Sequence, residues 1–268
     1  MKRASELRPV RKPEIHPTAV VHPDATIGHN VRIGPFTVIG PNVTIGADCE
    51  IASSVVIDGR TSIGNCNKIF PGAVIGLAPQ DFKYADEISY VEIGDNNTIR
   101  EYVTIHLASG ENEKTRIGDN NLLMAYVHVA HNCVLNDNIV LANAVNLAGH
   151  VTIGDWAILG GMTPVHQFVR IGAHAFIGGG SRVAQDVPPF IRVAGSPAEV
   201  SGLNSVGMKR RGFSEEALVN LKKAYRLLYR SGLNVSQALE KMALVFQLDT
   251  HLEELMAFIR RSERGIVR

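Results

Sequence analysis

Four histidines lie close together near the middle of this chain: His128, His131, His150 and His166. Imidazole is the side chain best suited to exchange protons near neutral pH. Two chemistries fit such a group, since one neutral imidazole can act as a general base and several can bind a metal ion. Single surface histidines are common in a chain with ten. The arrangement of the four must therefore show whether they share a site.

The segments that carry these histidines follow a repeat of six residues. An Ile, Leu or Val occupies the first position of every unit across 15–75, 93–105 and 117–183. Glycine is frequent at position two, where we expect a corner that favours a residue without Cβ. Position five is mostly small or β-branched. Two inward positions per six residues are typical of short strands and not of a helix.

Such a unit can bury its apolar positions only against neighbouring copies. Three units close a triangular coil of eighteen residues, and about nine coils would stack into a parallel β-helix. Adding eighteen to His131 reaches Gly149, and adding eighteen again reaches Gln167. The stacking therefore predicts a column of these three residues along one edge, roughly 5 Å apart per coil. His128, His150 and His166 are expected beside it.

Two segments, 81–92 and 111–116, interrupt the repeat. Both are polar or mixed in composition, and insertions in repeat proteins often lie on the functional face. We therefore expect them to contribute to a site.

The repeat ends near residue 188, and helical patterns follow. Ser214 before two glutamates predicts a helix N-cap, and apolar residues then recur at helical spacing until Gly232. Two further amphipathic stretches are predicted at 236–247 and 250–263, and the helices are expected to cover the open end of the β-helix. The predicted organisation is an N-terminal arm (1–14), a β-helix domain (15–196) and a helical domain (197–268).

Composition excludes several classes of protein. The formal net charge is +1, so no strong field favours nucleic acid. Three cysteines without a C-x-x-C pair favour neither a disulfide framework nor a structural zinc site. No apolar run reaches the length of a membrane span, and the basic N-terminus is not followed by the apolar core of a signal peptide. These features favour a cytoplasmic protein.

Several segments resemble the UDP-N-acetylglucosamine O-acyltransferases, which begin lipid A synthesis. They are PQDFKYADE (79–87), NLLMAYVHVAHNCV (121–134), LAGHVTIGDWAILGGMTPVHQFVRIGAHAFIGGGS (147–181), VAQDVPPF (183–190) and KRRGFSEEAL (209–218). The repeat alone would indicate only the hexapeptide superfamily, whereas these segments in this order are specific. The resemblance extends from about residue 15 to 268 and implies a left-handed coil.

The resemblance implies a reaction and its participants. The family transfers an (R)-3-hydroxyacyl group from acyl carrier protein to the 3-hydroxyl of UDP-N-acetylglucosamine. It works as a homotrimer with sites between subunits, and no cofactor or metal is expected. His131 is similar to the general base, and the Gly149 amide to the oxyanion donor.

Other residues match substrate-binding or selectivity positions of the family. Asp81 and Lys83 resemble contacts to the sugar and nearby groups. The remaining matches are edge contacts (His128, His150, His166 and Gln167), nucleotide-site residues (Asn204, Arg210 and Arg211) and the position that limits acyl length (Gly179).

Two residues depart from the family pattern. Asn132 stands beside the expected base where the family often has Asp, so an amide replaces a carboxylate partner. Val206 stands where a nucleotide-contacting Glu is often found. The departures bear on the base and on the uridine contacts, respectively.

Three alternatives remain to be weighed. The later N-acyltransferase of lipid A synthesis carries an extra N-terminal domain of about a hundred residues, for which residues 1–14 leave no room. A γ-type carbonic anhydrase would use histidines of adjacent subunits to bind zinc. A non-catalytic β-helix would need neither the histidine edge nor Lys83.

Overall fold

The computed structural model describes residues 10–247 and 249–268. Most of the predicted N-terminal arm, residues 1–9, lies outside the described residues. The first strand begins at Glu14, one residue before the predicted start of the repeat.

Short strands account for most of the chain. The first nine are β1 (Glu14–Ile15), β2 (Val20–Val21), β3 (Thr26–Ile27), β4 (Arg32–Ile33), β5 (Val38–Ile39), β6 (Thr44–Ile45), β7 (Glu50–Ile51), β8 (Val56–Ile57) and β9 (Arg60–Ile63). The next nine are β10 (Lys68–Ile69), β11 (Val74–Leu77), β12 (Tyr90–Ile93), β13 (Thr98–Ile99), β14 (Thr104–His106), β15 (Lys114–Ile117), β16 (Leu122–Leu123), β17 (His128–Val129) and β18 (Val134–Leu135). The last nine are β19 (Val140–Leu141), β20 (Asn146–Leu147), β21 (Thr152–Ile153), β22 (Ile158–Leu159), β23 (Pro164–Val165), β24 (Arg170–Ile171), β25 (Phe176–Ile177), β26 (Ile191–Ala194) and β27 (Glu199–Leu203).

Every third strand joins the same sheet, which gives a triangular prism with three parallel faces. Sheet A contains β1, β4 and so on to β25, followed by β26 and β27; sheet B runs from β2 to β23, and sheet C from β3 to β24. The register pairs equivalent positions, as in Ile15↔Ile33 and Val129↔Leu147. The predicted coil of eighteen residues and the β-helix fold are confirmed.

The aliphatic residues at position one form the core. From Ile33 onward they are almost completely buried, and so are position-five residues such as Val55, Ala73 and Val151. Outward neighbours on the same strands remain exposed or half-buried. Because an isolated unit would expose both inward positions, stacking on the next coil is the source of its stability.

Glycine at position two was expected because a corner there would favour a residue without Cβ, and this reason is wrong in part. The left-handed φ falls two residues later, at position four, in residues such as Asn132 (58°) and His150 (62°). Glycine at position two instead permits close stacking, since a Cβ on Gly160 would lie 2.7 Å from the Gly179 Cα of the next coil. The relevant property is the missing side chain and not backbone freedom.

Four helices follow the strands: α1 (Ser205–Arg210), α2 (Glu215–Arg230), α3 (Val235–Val245) and α4 (Thr250–Arg260). The three predicted helices are confirmed, with Ser214 as the N-cap of α2. Helix α1 was not predicted, because its six residues are too few for an apolar period. The predicted domain boundary at 196/197 falls in the turn between antiparallel β26 and β27.

The helices pack on a second hydrophobic core and are joined to the prism by a buried carboxylate. Phe190, Met208 and Leu221 belong to this core. Asp186, almost fully buried, accepts hydrogen bonds from the Arg170 N–H (2.8 Å) and the Ser262 hydroxyl (2.7 Å). Among the described helices, none has the length and apolarity needed to cross a bilayer.

Candidate active site

Both interruptions of the repeat lie at the corner between sheets B and C. The first joins β11 to β12, and the second joins β14 to β15. One coil further, the same corner joins β17 to β18 and carries His131. Asp81 and Lys83 of the first interruption line a cavity of about 780 Å³ beside His131, and so does Ser109, just before the second interruption. Residues 111–116 themselves do not line it, so the geometry supports the expected contribution only for the first interruption.

The predicted column is present in the wall of this cavity. His131, Gly149 and Gln167 all line it. A Cβ on Gly149 would lie only 2.5 Å from Cε1 and Nε2 of His131. The imidazole therefore occupies space that any side chain at position 149 would need.

The Asn132 amide determines which nitrogen of His131 carries the proton. Asn132 Oδ1 accepts the Ser109 N–H (2.9 Å), and Asn132 Nδ2 donates to the Ser109 carbonyl (3.2 Å). The amide orientation follows from these two backbone groups, so its oxygen faces His131 Nδ1 at 2.8 Å. Nδ1 must then be the donor, and the lone pair is left on Nε2. This nitrogen is the one a general base requires.

Asp81 and Lys83 bring charge to the same cavity. The Asp81 carboxylate lies 3.9 Å from His131 Nε2. The backbone N–H of Lys83, which donates to Asp81 at 3.0 Å, is the main cause that lowers the pKa of this carboxyl, and His131 adds to it. Asp81 is therefore an anion placed to stabilise an imidazolium, but only once Nε2 has gained a proton.

The backbone N–H of Gly149 points to no acceptor among residues 10–247 and 249–268. The equivalent N–H groups at the corner between sheets C and A are occupied: Asp137 N–H, for example, donates to Asp155 Oδ1 at 2.9 Å. Gln167 stands one coil after Gly149, and no carboxylate takes the amide hydrogen there. Gly149 therefore offers an unused donor in the cavity wall beside His131.

Three further histidines surround the base, and burial is the main cause that lowers the pKa of each. His128 donates to or accepts from Thr104 Oγ1 at 2.7 Å, and His150 stacks on Phe168 with the ring centres 4.6 Å apart. The third histidine, His106, was not predicted as a site residue from the repeat. Its ring packs edge-on against His128, and the residue is 6% exposed. Burial lowers the His106 pKa to about 4. These three rings are therefore neutral at pH 7 and add no positive charge beside His131.

His166 does not line this cavity, unlike Gln167. Its exposed ring directs Nδ1 to the Gln167 carbonyl at 3.1 Å. His166 is at position two of its unit, whereas the residues of the column are at position three. Its side chain therefore lies beside the column and not in it. The periodicity placed the residue on the correct coil but not its side chain in the cavity.

The predicted nucleotide residues lie elsewhere, in a second cavity of about 570 Å³ on sheet A. Arg210, Arg211 and Val206 line it, together with Asn204. Asn204 is nearly buried, and its amide caps α1 by accepting the Gly207 N–H and donates to the His174 carbonyl. A structural role therefore uses most of the hydrogen-bonding capacity of Asn204.

Gly179 lies exposed at the third corner, between sheets A and B. A Cβ there would meet the Gly161 carbonyl oxygen at 3.3 Å. Within one chain, the predicted site residues are thus distributed over three regions of the prism surface.

A prism built from six-residue units is the fold of the hexapeptide-repeat transferases, and the repeat profile of these bacterial enzymes matches 11–41 and 24–59. Residues 186–267 match the second domain of UDP-N-acetylglucosamine O-acyltransferase. The acyl-[acyl-carrier-protein]–UDP-N-acetylglucosamine O-acyltransferase of Thermodesulfovibrio yellowstonii is 49% identical over 95% of this chain and 99% of its own. The chain belongs to this family of enzymes.

Solved structures agree over most of the chain. The UDP-N-acetylglucosamine acyltransferase of Bacteroides fragilis is 46% identical and superposes with a TM-score of 0.92, covering 94% of this chain and 99% of its own. The Francisella novicida acyltransferase is 44% identical and superposes with a TM-score of 0.92. This match covers 95% of this chain and 94% of the Francisella chain. The similarity includes the helical tail and the left-handed prism. It favours an acyltransferase over a metalloenzyme of the carbonic anhydrase type.

Proposed function

We propose that this chain transfers an (R)-3-hydroxyacyl group from acyl carrier protein to the 3-hydroxyl of UDP-N-acetylglucosamine, the first step of lipid A synthesis. The observation that carries the proposal is the corner of His131 and Gly149, where a base with a free Nε2 adjoins an unused backbone donor. Acyl transfer to an alcohol needs both groups in one place.

The reaction follows from these two groups. His131 Nε2 removes the proton of the sugar 3-hydroxyl as its oxygen attacks the thioester carbonyl. The negative charge moves to the carbonyl oxygen, where the Gly149 N–H donates to it. Collapse of this intermediate breaks the carbon–sulfur bond, and the imidazolium returns its proton to the departing thiolate. Asp81, 3.9 Å from Nε2, stabilises the imidazolium in between.

The other walls of the cavity bind the substrates. Lys83, His128, His150 and Gln167 line it and are proposed contacts for the sugar and for polar groups near the scissile bond. His166 lies outside the cavity, so we propose that it contacts only a substrate group that extends beyond the cavity. Gly179, without a side chain, leaves room for a long acyl chain at the third corner.

We infer that a complete site combines two chains of a homotrimer. The base lies at the corner of sheets B and C, whereas the proposed nucleotide residues Arg210 and Arg211 lie on sheet A. A neighbouring prism that presents its sheet A to this corner would bring the two cavities together. In that site Asn204 would fix the position of helix α1 and would not contact the nucleotide directly.

We also propose that residues 15–196 form the acyltransferase domain and 197–268 a helical domain, and that the protein acts in the cytoplasm. Two hydrophobic cores support two domains, although Phe190 belongs to the helical core and Val267 to the prism core. The carrier protein and UDP-N-acetylglucosamine named for the relatives are soluble substrates, which supports the location.

A transfer assay tests the function. The purified chain is incubated with UDP-N-acetylglucosamine and 3-hydroxyacyl carrier proteins of several lengths, and the products are read by tandem mass spectrometry. We expect one acyl group on the 3-oxygen, with a maximum at one chain length. Absence of any acylated sugar, together with stoichiometric zinc and hydration of carbon dioxide, would instead establish the carbonic anhydrase alternative.

A further inference from the structure

The cavity on sheet A is bordered by the single tryptophan of the chain. Trp156 follows β21 at the corner between sheets C and A and is 38% exposed. The other residues of this wall include Arg192, Val206, Arg210 and Arg211. An aromatic ring therefore faces a cavity with three guanidinium groups in its lining.

One of these guanidinium groups is held against the indole. Arg211 Cζ lies 4.7 Å from the centre of the Trp156 ring, which is within the range of a cation–π contact. Arg211 Nη1 donates to the Gly207 carbonyl at 3.3 Å. The two contacts fix a side chain that otherwise has many rotamers.

Arg211 also lacks an anionic partner. No carboxylate of residues 10–247 or 249–268 lies within ion-pair distance of it, and its buried Nε has no hydrogen-bond acceptor. Burial lowers the pKa of Arg211, which shows the cost of holding this cation out of water. A partly buried cation with free donors in a cavity wall suits an anionic ligand.

The indole is itself held in place from the side of the prism. The His174 ring, one coil further, lies parallel to it with centres 6.4 Å apart and planes 7° apart. Burial, followed by the charge of Arg211, lowers the His174 pKa to about 4. His174 is therefore neutral at pH 7 and supports the indole without competing for the anion.

We propose that Trp156 is a positioning residue that holds the Arg211 guanidinium ready for the diphosphate of the UDP-sugar. The inference rests on the proposed function, because it takes the cavity on sheet A as the nucleotide site. Trp156 acts through Arg211, and a preformed guanidinium loses less side-chain freedom when the ligand binds. Tryptophan is also the aromatic residue with the strongest attraction for a cation.

Kinetics of two substitutions test this role. Trp156→Leu keeps apolar bulk but removes the ring, so the KM for UDP-N-acetylglucosamine should rise about threefold to tenfold while kcat stays unchanged. Trp156→Phe retains a ring and should recover most of the loss. Circular dichroism and melting temperature of the variants show whether the fold is intact. Trp156→Met, which also keeps apolar bulk without a ring, carries the test if the leucine variant does not fold.

A double-mutant cycle separates positioning from direct contact with the ligand. In the Arg211→Ala background, Trp156→Leu should have no further effect on KM, since the indole then has no guanidinium to hold. Equal losses in both backgrounds would overturn the proposal, as would a wild-type KM in Trp156→Leu.

Fluorescence of the single tryptophan gives a readout that does not need turnover. Titration of the wild type with UDP should change the emission of Trp156, and Arg211→Ala should require a higher UDP concentration for the same change. No change on saturation with UDP would contradict a nucleotide in this cavity. If the wild type acylates UDP-N-acetylglucosamine but the cycle is additive, only the role of Trp156 fails; without acylation, the proposed function fails.

Discussion

At the scale of single residues, an amide and not a carboxylate sets the protonation of the base. Asn132 is oriented by both backbone groups of Ser109, and its Oδ1 accepts a hydrogen bond from the Nδ1–H of His131. The negative charge that stabilises the imidazolium comes instead from Asp81, on the other side of the ring. Orientation and charge compensation are thus supplied by two different residues.

Substitution of Asn132 by Asp should move the pH profile of catalysis. A carboxylate beside Nδ1 favours the protonated ring, so the acid limb of kcat/KM should shift upward by about one pH unit. The change is measured between pH 5 and 9 with the matched control Asn138→Asp, which has the same position in its unit at another corner. An unmoved acid limb, or one moved to lower pH, would mean that Asn132 does not set the proton on His131.

The buried His106 should make stability depend on pH. Its pKa of about 4 in the fold lies below the ordinary value of 6.5, so the unfolded chain binds the proton more readily. The free energy of unfolding therefore has its full value above pH 6.5. It falls by about 3 kcal/mol at most as the pH is lowered toward 4.

Melting temperatures measure this effect. His106→Asn should make the decline between pH 6.5 and 4 shallower, with the remainder due to His128, His150 and His174, whereas His29→Asn at an exposed position should leave it unchanged. A decline as steep in His106→Asn as in the wild type would show that other groups cause it.

At the scale of elements, the period of six accounts for most of what could be predicted. Because position one must face inward in every unit, the period determined the strand register, the three faces and the column of His131, Gly149 and Gln167. The Ser109–Asn132 contacts could not be derived, since they depend on the path of an insertion that breaks the period. The contact between Trp156 and Arg211 depends on how the tail packs, and no repeat specifies that.

The close stacking of coils gives an element-scale prediction. Gly160→Ala would place a Cβ 2.7 Å from the Gly179 Cα and closer still to the Gly179 N, so adjacent coils must separate. We expect a loss of about 2 kcal/mol in the free energy of unfolding. Gly178→Ala is the matched control, because its Cβ would be nearest to the Ala194 Cβ at 3.0 Å and 3.6 Å or more from backbone. Equal stability of the two variants in denaturant would contradict steric stacking as the reason for glycine.

At the scale of the whole molecule, the proposed site spans two chains. Co-expressed His131→Ala and Arg211→Ala chains would form mixed trimers in which some corners meet an intact neighbour. Every trimer that contains both kinds of chain has one intact site in three, so mixed trimers should show about a third of wild-type activity, although each variant alone is impaired. If one chain held the whole site, mixing would restore nothing. The comparison uses trimers purified with two different affinity tags.

The most direct test of the central claim compares the single-turnover rate of acyl transfer in His131→Ala and His29→Ala. Both histidines stand at position three of a unit, but His29 lies at another corner, away from the cavity. The His131 variant should keep its melting temperature and its UDP-dependent Trp156 fluorescence and lose about 10²–10⁴-fold in rate, while the His29 variant matches the wild type. A His131→Ala rate within a few fold of wild type would contradict the assignment of the base and, with it, the mechanism.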